Sequence, residues 1–185
     1  MPWIEVVPPE EADGELADAY EVIRKRRGKL SNIMAIQGLN PKMIGPHLDL
    51  YMAIMFERSG LTRGEREMVA VRVSVLNGCE YCTRHHAEAL RACWRADERA
   101  DALERGEVPE GLSEREREML SYAERLTENP SGVEEGDVDR LRDVGLSDAE
   151  IVNLASVVGY FNFVNRIAEG LGVEVTDEEV AGYRY

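Results

Sequence analysis

Apolar side chains recur three and four positions apart along almost the whole chain: Leu16, Tyr20 and Ile23; Ile44, Leu48, Tyr51 and Met55; Met119, Ala123 and Leu126; Ile151, Leu154, Val158, Phe161 and Ala168. That spacing puts each set on one face of an α-helix, and the alternation expected of strands is nearly absent. Thr62 with Glu65, Ser113 with Glu116 and Ser147 with Glu150 match the capping box, in which hydroxyl and carboxylate satisfy the first free amides of a helix. Gly28, Gly60, the Asn77-Gly78 pair, Pro130 and Gly145 supply the stops. The pattern predicts an all-α, single-domain bundle of about seven helices. A helical extension is expected over 1–39, a helical core over 40–173 with Pro41 near the first turn of its opening helix, and a C-terminal tail over 174–185.

One segment breaks the amphipathic rule. Between Thr62 and Asn77 the chain is apolar on nearly every side after Met68, with Arg72 and Ser74 as exceptions, so this helix is expected to be buried. Glu67, Val71, Ser74 and Gly78 share one of its faces. Two readings of Glu67 follow. As a buried carboxylate its pKa rises, which suits proton transfer near neutrality; as a first-turn residue it is exposed and favoured by the helix dipole.

Beyond the turn, Cys79, Cys82, His86, Ala89 and Cys93 follow at spacings of 3, 4, 3 and 4. If a new helix begins at about Gly78, the two sulfurs and the imidazole lie on one stripe. Free amides at a helix start stabilise a thiolate, giving one cysteine nucleophilic at neutral pH, with His86 one turn past Cys82 to exchange a proton with it. Cys79 is within disulfide reach of Cys82. Cys93, 11 residues past Cys82, stands roughly 16 Å further along the axis and is read as core. His85 points off the stripe and His47 sits on another helix; both are read as ordinary surface or core residues. C-x2-C-x3-H could supply three zinc ligands, but there is no second CxxC or HxxxH to complete a structural site, and no metal is expected.

Charge and composition narrow the partners. Thirty-six acidic against 22 basic residues give a formal charge of −14 over 185 residues, which repels phosphate backbones and anionic lipid; nucleic acid and membranes are not expected as partners. The basic run Arg24 to Lys29 falls in the last turn of a predicted helix, where cations complement the dipole. The opening MPWIEVVPPE has no basic and apolar leader, no run approaches a membrane span, and three cysteines, an odd count, argue against a disulfide framework. The expectation is a cytoplasmic protein with reduced thiols.

Glu67, Ser74, Asn77, Cys79, Tyr81, Cys82 and His86 together resemble the signature of the alkylhydroperoxidase D family, within the carboxymuconolactone decarboxylase superfamily. The resemblance is strongest from about Pro41 to Cys93, and FNFVNRIAEGLGV is similar to the closing helix of peroxidase-related members. It implies an AhpD-like helical fold assembling through its helices as trimers or hexamers, and thiol-dependent reduction of peroxides. Cys82 would attack the peroxide and Cys79 resolve it, with His86 and Glu67 as proton relay and Ser74, Asn77 and Tyr81 in support; some members carry histidine where this chain has Tyr81. Thioredoxin-type logic makes the N-terminal cysteine the nucleophile instead, so the order stays open on the residues alone. The resemblance implies no bound cofactor but an external dithiol of lipoyl type, and as partners a lipoyl-bearing protein or a peroxiredoxin. The alternatives are a non-peroxidatic disulfide reductase or redox sensor, and a metal-binding or structural helical oligomer.

Overall fold

A computed structural model describes residues 1–181 and 183; of the expected tail 174–185, residues 182, 184 and 185 lie outside the described residues. Among the described residues there is no strand. The helices are α1 (Gly14–Arg27), α2 (Asn32–Ala35), α3 (Pro41–Met55), α4 (Arg63–Leu76), α5 (Glu80–Trp94), α6 (Asp97–Glu104), α7 (Glu114–Glu128), α8 (Glu135–Asp143), α9 (Asp148–Leu171) and α10 (Asp177–Val180). The excess over about seven lies in α2, α6 and α10, which are too short to carry a repeating apolar face.

All three capping boxes form. Thr62, Ser113 and Ser147 each accept from the amide three residues on and donate their own amide to the glutamate there, at 2.7–2.8 Å for the latter bond. Arg115, in the first turn of α7, then bridges two of those glutamates, Glu65 at 2.7 Å and Glu150 at 2.9 Å. The starts of α4, α7 and α9 are thereby gathered at one end of the bundle.

The buried helix predicted after Thr62 is α4, packed against α5, α7 and α9. Met68, Val69, Ala70, Val71 and Val73 have no exposed surface. Arg72 escapes at the edge, where Glu124 and the Gly106 carbonyl hold its guanidinium at 2.7 and 2.8 Å. Burial of this apolar set supplies the main drive for folding, at about 25 cal/mol per Å² removed from water.

Gly78 turns the chain between α4 and α5. Its φ of +68° is a left-handed conformation that a side chain would strain. The amides of Gly78 and Cys79 close back onto the carbonyls of Val75 (3.0 Å) and Ser74 (2.9 Å), the pairing of a Schellman stop. Cys79 is therefore tied by its backbone to the end of α4 and is also the N-cap of α5. No helix among the described residues is long and apolar enough to cross a membrane.

Candidate functional site

The α4–α5 hairpin brings the expected acid and base together. Glu67 is fully buried, and its Oε2 meets Nδ1 of His86 at 2.6 Å. Arg63, one turn before Glu67, forms an ion pair with the same carboxylate and donates to the Met55 carbonyl at 2.8 Å. Of the two readings of Glu67, the buried one holds, but the direction of its titration is reversed. Burial pushes the carboxyl up; His86 and Arg63 outweigh it and hold Glu67 below the usual carboxylate range. A carboxylate at Nδ1 fixes the tautomer with hydrogen there and leaves Nε2 as the proton acceptor. Burial, opposed by the Glu67 charge, lowers the His86 pKa, so the imidazole is neutral at neutral pH. Its ring stands edge-on to Phe161 at 4.5 Å.

Both cysteines of the pair are free and buried. Cys82 lines a pocket that also receives His86, His85, Tyr51, Tyr81 and Tyr160; Cys79 does not line it. The expectation of a resting thiolate stabilised at the helix start fails for Cys82. A hydrogen bond with Cys79, then burial and the Cys79 charge, push the Cys82 thiol well above its ordinary range, with Asn165 opposing. The dipole of α5 therefore acts on a sulfur whose surroundings favour the proton.

Ser74 and Asn77 reach the sulfurs through a residue the sequence reading passed over. The Asn165 amide donates to Ser74 Oγ at 3.1 Å while its carbonyl accepts from Asn77 Nδ2 at 3.0 Å, and Ser74 donates onward to the Ala70 carbonyl at 2.7 Å. Asn165 falls four residues after Phe161 and three before Ala168, on the apolar stripe of α9, and is buried. A polar side chain in phase with a core stripe was the available signal.

Tyr81 is buried and donates to Glu179 Oε1 at 2.9 Å while accepting from the Ile33 amide at 3.3 Å. Glu179, on α10, also accepts from the Asn32 amide at 2.8 Å and from Tyr183 at 3.2 Å, and stands 3.2 Å from Lys29. Burial opposes its charge, but His85, the Asn32 amide, Tyr81 and Lys29 bring its pKa down to about 2. His85 is thus no bystander: its ring lies 4.3 Å from that of Tyr81 and lines the pocket. Cys93 is also corrected, since it is exposed. Its turn of α5 passes the start of α4 at Gly64, which has no side chain to cover it. His47 is core, as read, between Gln37 and Tyr160. Among the described residues, no three His, Cys, Asp or Glu side chains gather as metal ligands.

The profile of the carboxymuconolactone decarboxylase family matches residues 47–105, the span that contains this hairpin. The protein YdfG of Bacillus subtilis (strain 168), which bears no assigned activity, is 27% identical over 117 residues, 63% of this chain and 79% of its own. Two solved structures are similar over nearly the full length. The alkylhydroperoxidase AhpD core of a peroxidase-related protein from Ralstonia eutropha JMP134 has a TM-score of 0.86 at 25% identity, covering 97% of this chain and 94% of that one. A peroxidase-related protein from Silicibacter sp. TM1040 has a TM-score of 0.84 at 28% identity, covering 99% and 96%. Its hairpin lies inside the span that is similar to the carboxymuconolactone decarboxylase family and its helices superpose on both structures, so the chain has an all-helical, AhpD-like fold.

Proposed function

We propose that the protein reduces organic hydroperoxides with the Cys79–Cys82 pair. The observation that carries this reading is the pocket wall: it presents Cys82 beside a histidine whose Nδ1 is held by a buried carboxylate, while Cys79 stays behind it. That arrangement favours Cys82 as the attacking sulfur and Cys79 as the resolving one.

Since Cys82 rests as a thiol, neutral His86 takes its proton as attack begins. The sulfur bonds to the terminal peroxide oxygen, the O–O bond breaks, and the departing alkoxide takes the proton from the imidazolium to leave as an alcohol. Glu67 supports the transient positive charge on His86. The sulfenic acid on Cys82 is then attacked by Cys79, which expels water and leaves the disulfide. An external dithiol restores both thiols by exchange; a protein-bound lipoyl group is the donor this chemistry calls for, and a peroxiredoxin is a partner to which the reduced pair can pass electrons on, in a reducing compartment such as the cytoplasm. No bound cofactor enters the cycle. Exposed apolar side chains on α3 and α9, among them Met43, Leu50, Val152 and Phe163, support a homo-oligomer joined through helices, as a trimer or hexamer.

The test is consumption of cumene hydroperoxide with dihydrolipoamide as reductant. Wild-type protein turns over and Cys82→Ser does not, whereas Cys79→Ser forms a trappable sulfenic acid once and then stops. Full turnover by Cys82→Ser rules the mechanism out. Absence of peroxide consumption together with rapid exchange against small disulfides assigns disulfide reductase chemistry instead.

A further inference from the structure

The same pocket carries a feature that peroxide chemistry does not require. Its wall is mainly apolar, with Ile23, Leu48, Tyr160 and Val164 among the lining side chains, and it includes one guanidinium, that of Arg27, without an assigned task. Arg27 lies in the last turn of α1, over the rings of Tyr51 at 5.3 Å and Phe56 at 4.6 Å. Among the described residues no carboxylate pairs with it. Lys25, Arg26 and Lys29 of the same basic run differ in this respect. Lys25 pairs with Glu21, Arg26 with Asp49, and Lys29 is held by Glu179 and by the carbonyls of Glu178 and Glu179. The other pocket arginine, Arg63, is taken up by Glu67.

A partly buried cation fixed by aromatic faces retains its in-plane N–H donors for a ligand, since stacking uses the face of the guanidinium and leaves its edge free. One uncommitted guanidinium matches one negative charge. The chain carries a net charge of −14, and of the five cations between Arg24 and Lys29 only Arg24 and Arg27 have no carboxylate partner among the described residues, so this rim keeps positive charge on an otherwise repelling surface.

We propose that the pocket selects organic monoanions: an apolar body seated against the aliphatic and tyrosine wall, with its carboxylate on the edge of Arg27. As a statement about substrate, this rests on the peroxidase reading and names carboxylate-bearing organic hydroperoxides as the preferred class. As a statement about binding, it does not.

The experiment is isothermal titration of the reduced full-length protein with 4-isopropylbenzoate and with the neutral 4-isopropylbenzyl alcohol. The acid binds roughly tenfold tighter or more, the worth of a charge-assisted hydrogen bond. Arg27→Gln brings the two ligands to near parity, and Arg24→Gln, outside the pocket, leaves the preference intact. Equal binding of acid and alcohol to the wild type overturns the proposal without recourse to any variant. So does binding of neither, or a preference that survives Arg27→Gln. A protein that binds the acid through Arg27 yet consumes no peroxide overturns the proposed function alone.

Discussion

Two adjacent histidines, His85 and His86, stand beside two buried carboxylates on opposite flanks of one pocket. Glu67 meets only side chains, Arg63 and His86, that can shift charge or geometry as a reaction proceeds. Glu179 instead accepts from a backbone amide and two tyrosine hydroxyls, with Lys29 close by. Both acids are held ionised, but by different means. The lesson is that burial of a carboxylate beside a histidine does not by itself mark a proton relay. What distinguishes Glu67 is a base bonded at 2.6 Å whose second nitrogen is left free to accept a proton, whereas Glu179 is saturated by groups that pin the C-terminal turn to α2 and α5.

That contrast is open to direct attack. The largest expected effect is on turnover: Glu67→Gln or His86→Gln lowers kcat/KM for peroxide by about 10²–10⁴-fold, as loss of a positioned acid–base group does, while Glu179→Gln and His85→Gln change it far less. Steady-state rates on all four variants decide this, and equal losses on both flanks would erase the distinction. The next effect is on stability. Because the folded pKa of Glu179 lies near 2, its contribution is complete above the ordinary glutamate range and drains away as pH falls through that value. Glu179→Gln therefore removes up to about 3 kcal/mol, at roughly 1.4 kcal/mol per pH unit, and flattens the acid limb of denaturant stability between about pH 4.5 and 2.

His47 supplies the reference case, a buried histidine with no carboxylate. Its partners Gln37 and Tyr160 are neutral, and burial lowers its pKa to about 4. The folded state then refuses a proton that the unfolded chain accepts. Stability is complete above about pH 6.5 and is lost as pH falls toward 4, by roughly 3 kcal/mol at most. In His47→Gln that slope disappears from urea titrations, although the variant starts from a lower plateau. The smallest effect belongs to Cys93→Ser: with its thiol outside the pocket, the initial rate is unchanged and stability stays within about 0.5 kcal/mol.

Much of this was legible in the chain. The buried character of α4, its Thr62 box, the stop at Asn77-Gly78 and the shared pocket face of Cys82 and His86 all follow from spacing, because each depends on neighbours within a few turns. What spacing could not give came from residues far along the chain. Glu179 reaches Tyr81 across 98 positions and Asn165 reaches Ser74 across 91. The packing of His85 against Tyr81 and Glu179 has the same origin, since the face it occupies is ordinary until α10 covers it. Cys93 failed for the opposite reason: the stripe continues in phase, but the neighbouring helix offers only Gly64 there. The direction of the Glu67 titration was missed because it requires Arg63 and His86 to outweigh burial, a balance of magnitudes that no pattern of letters encodes.

The Schellman stop at Gly78 has one more consequence. It makes acid, sulfurs and imidazole parts of a single helical hairpin, with Glu67 and His86 only 19 positions apart. Contacts so local can form early and cheaply during folding. Beyond the hairpin's own face, the wall of the pocket is assembled from remote segments, α1, α2, α3, α9 and Tyr183. In the proposed reaction, reactivity and selectivity are then inscribed largely in different stretches of polypeptide, so substitutions on α1, α3 or α9 that reshape the guest need not disturb the chemistry performed on it.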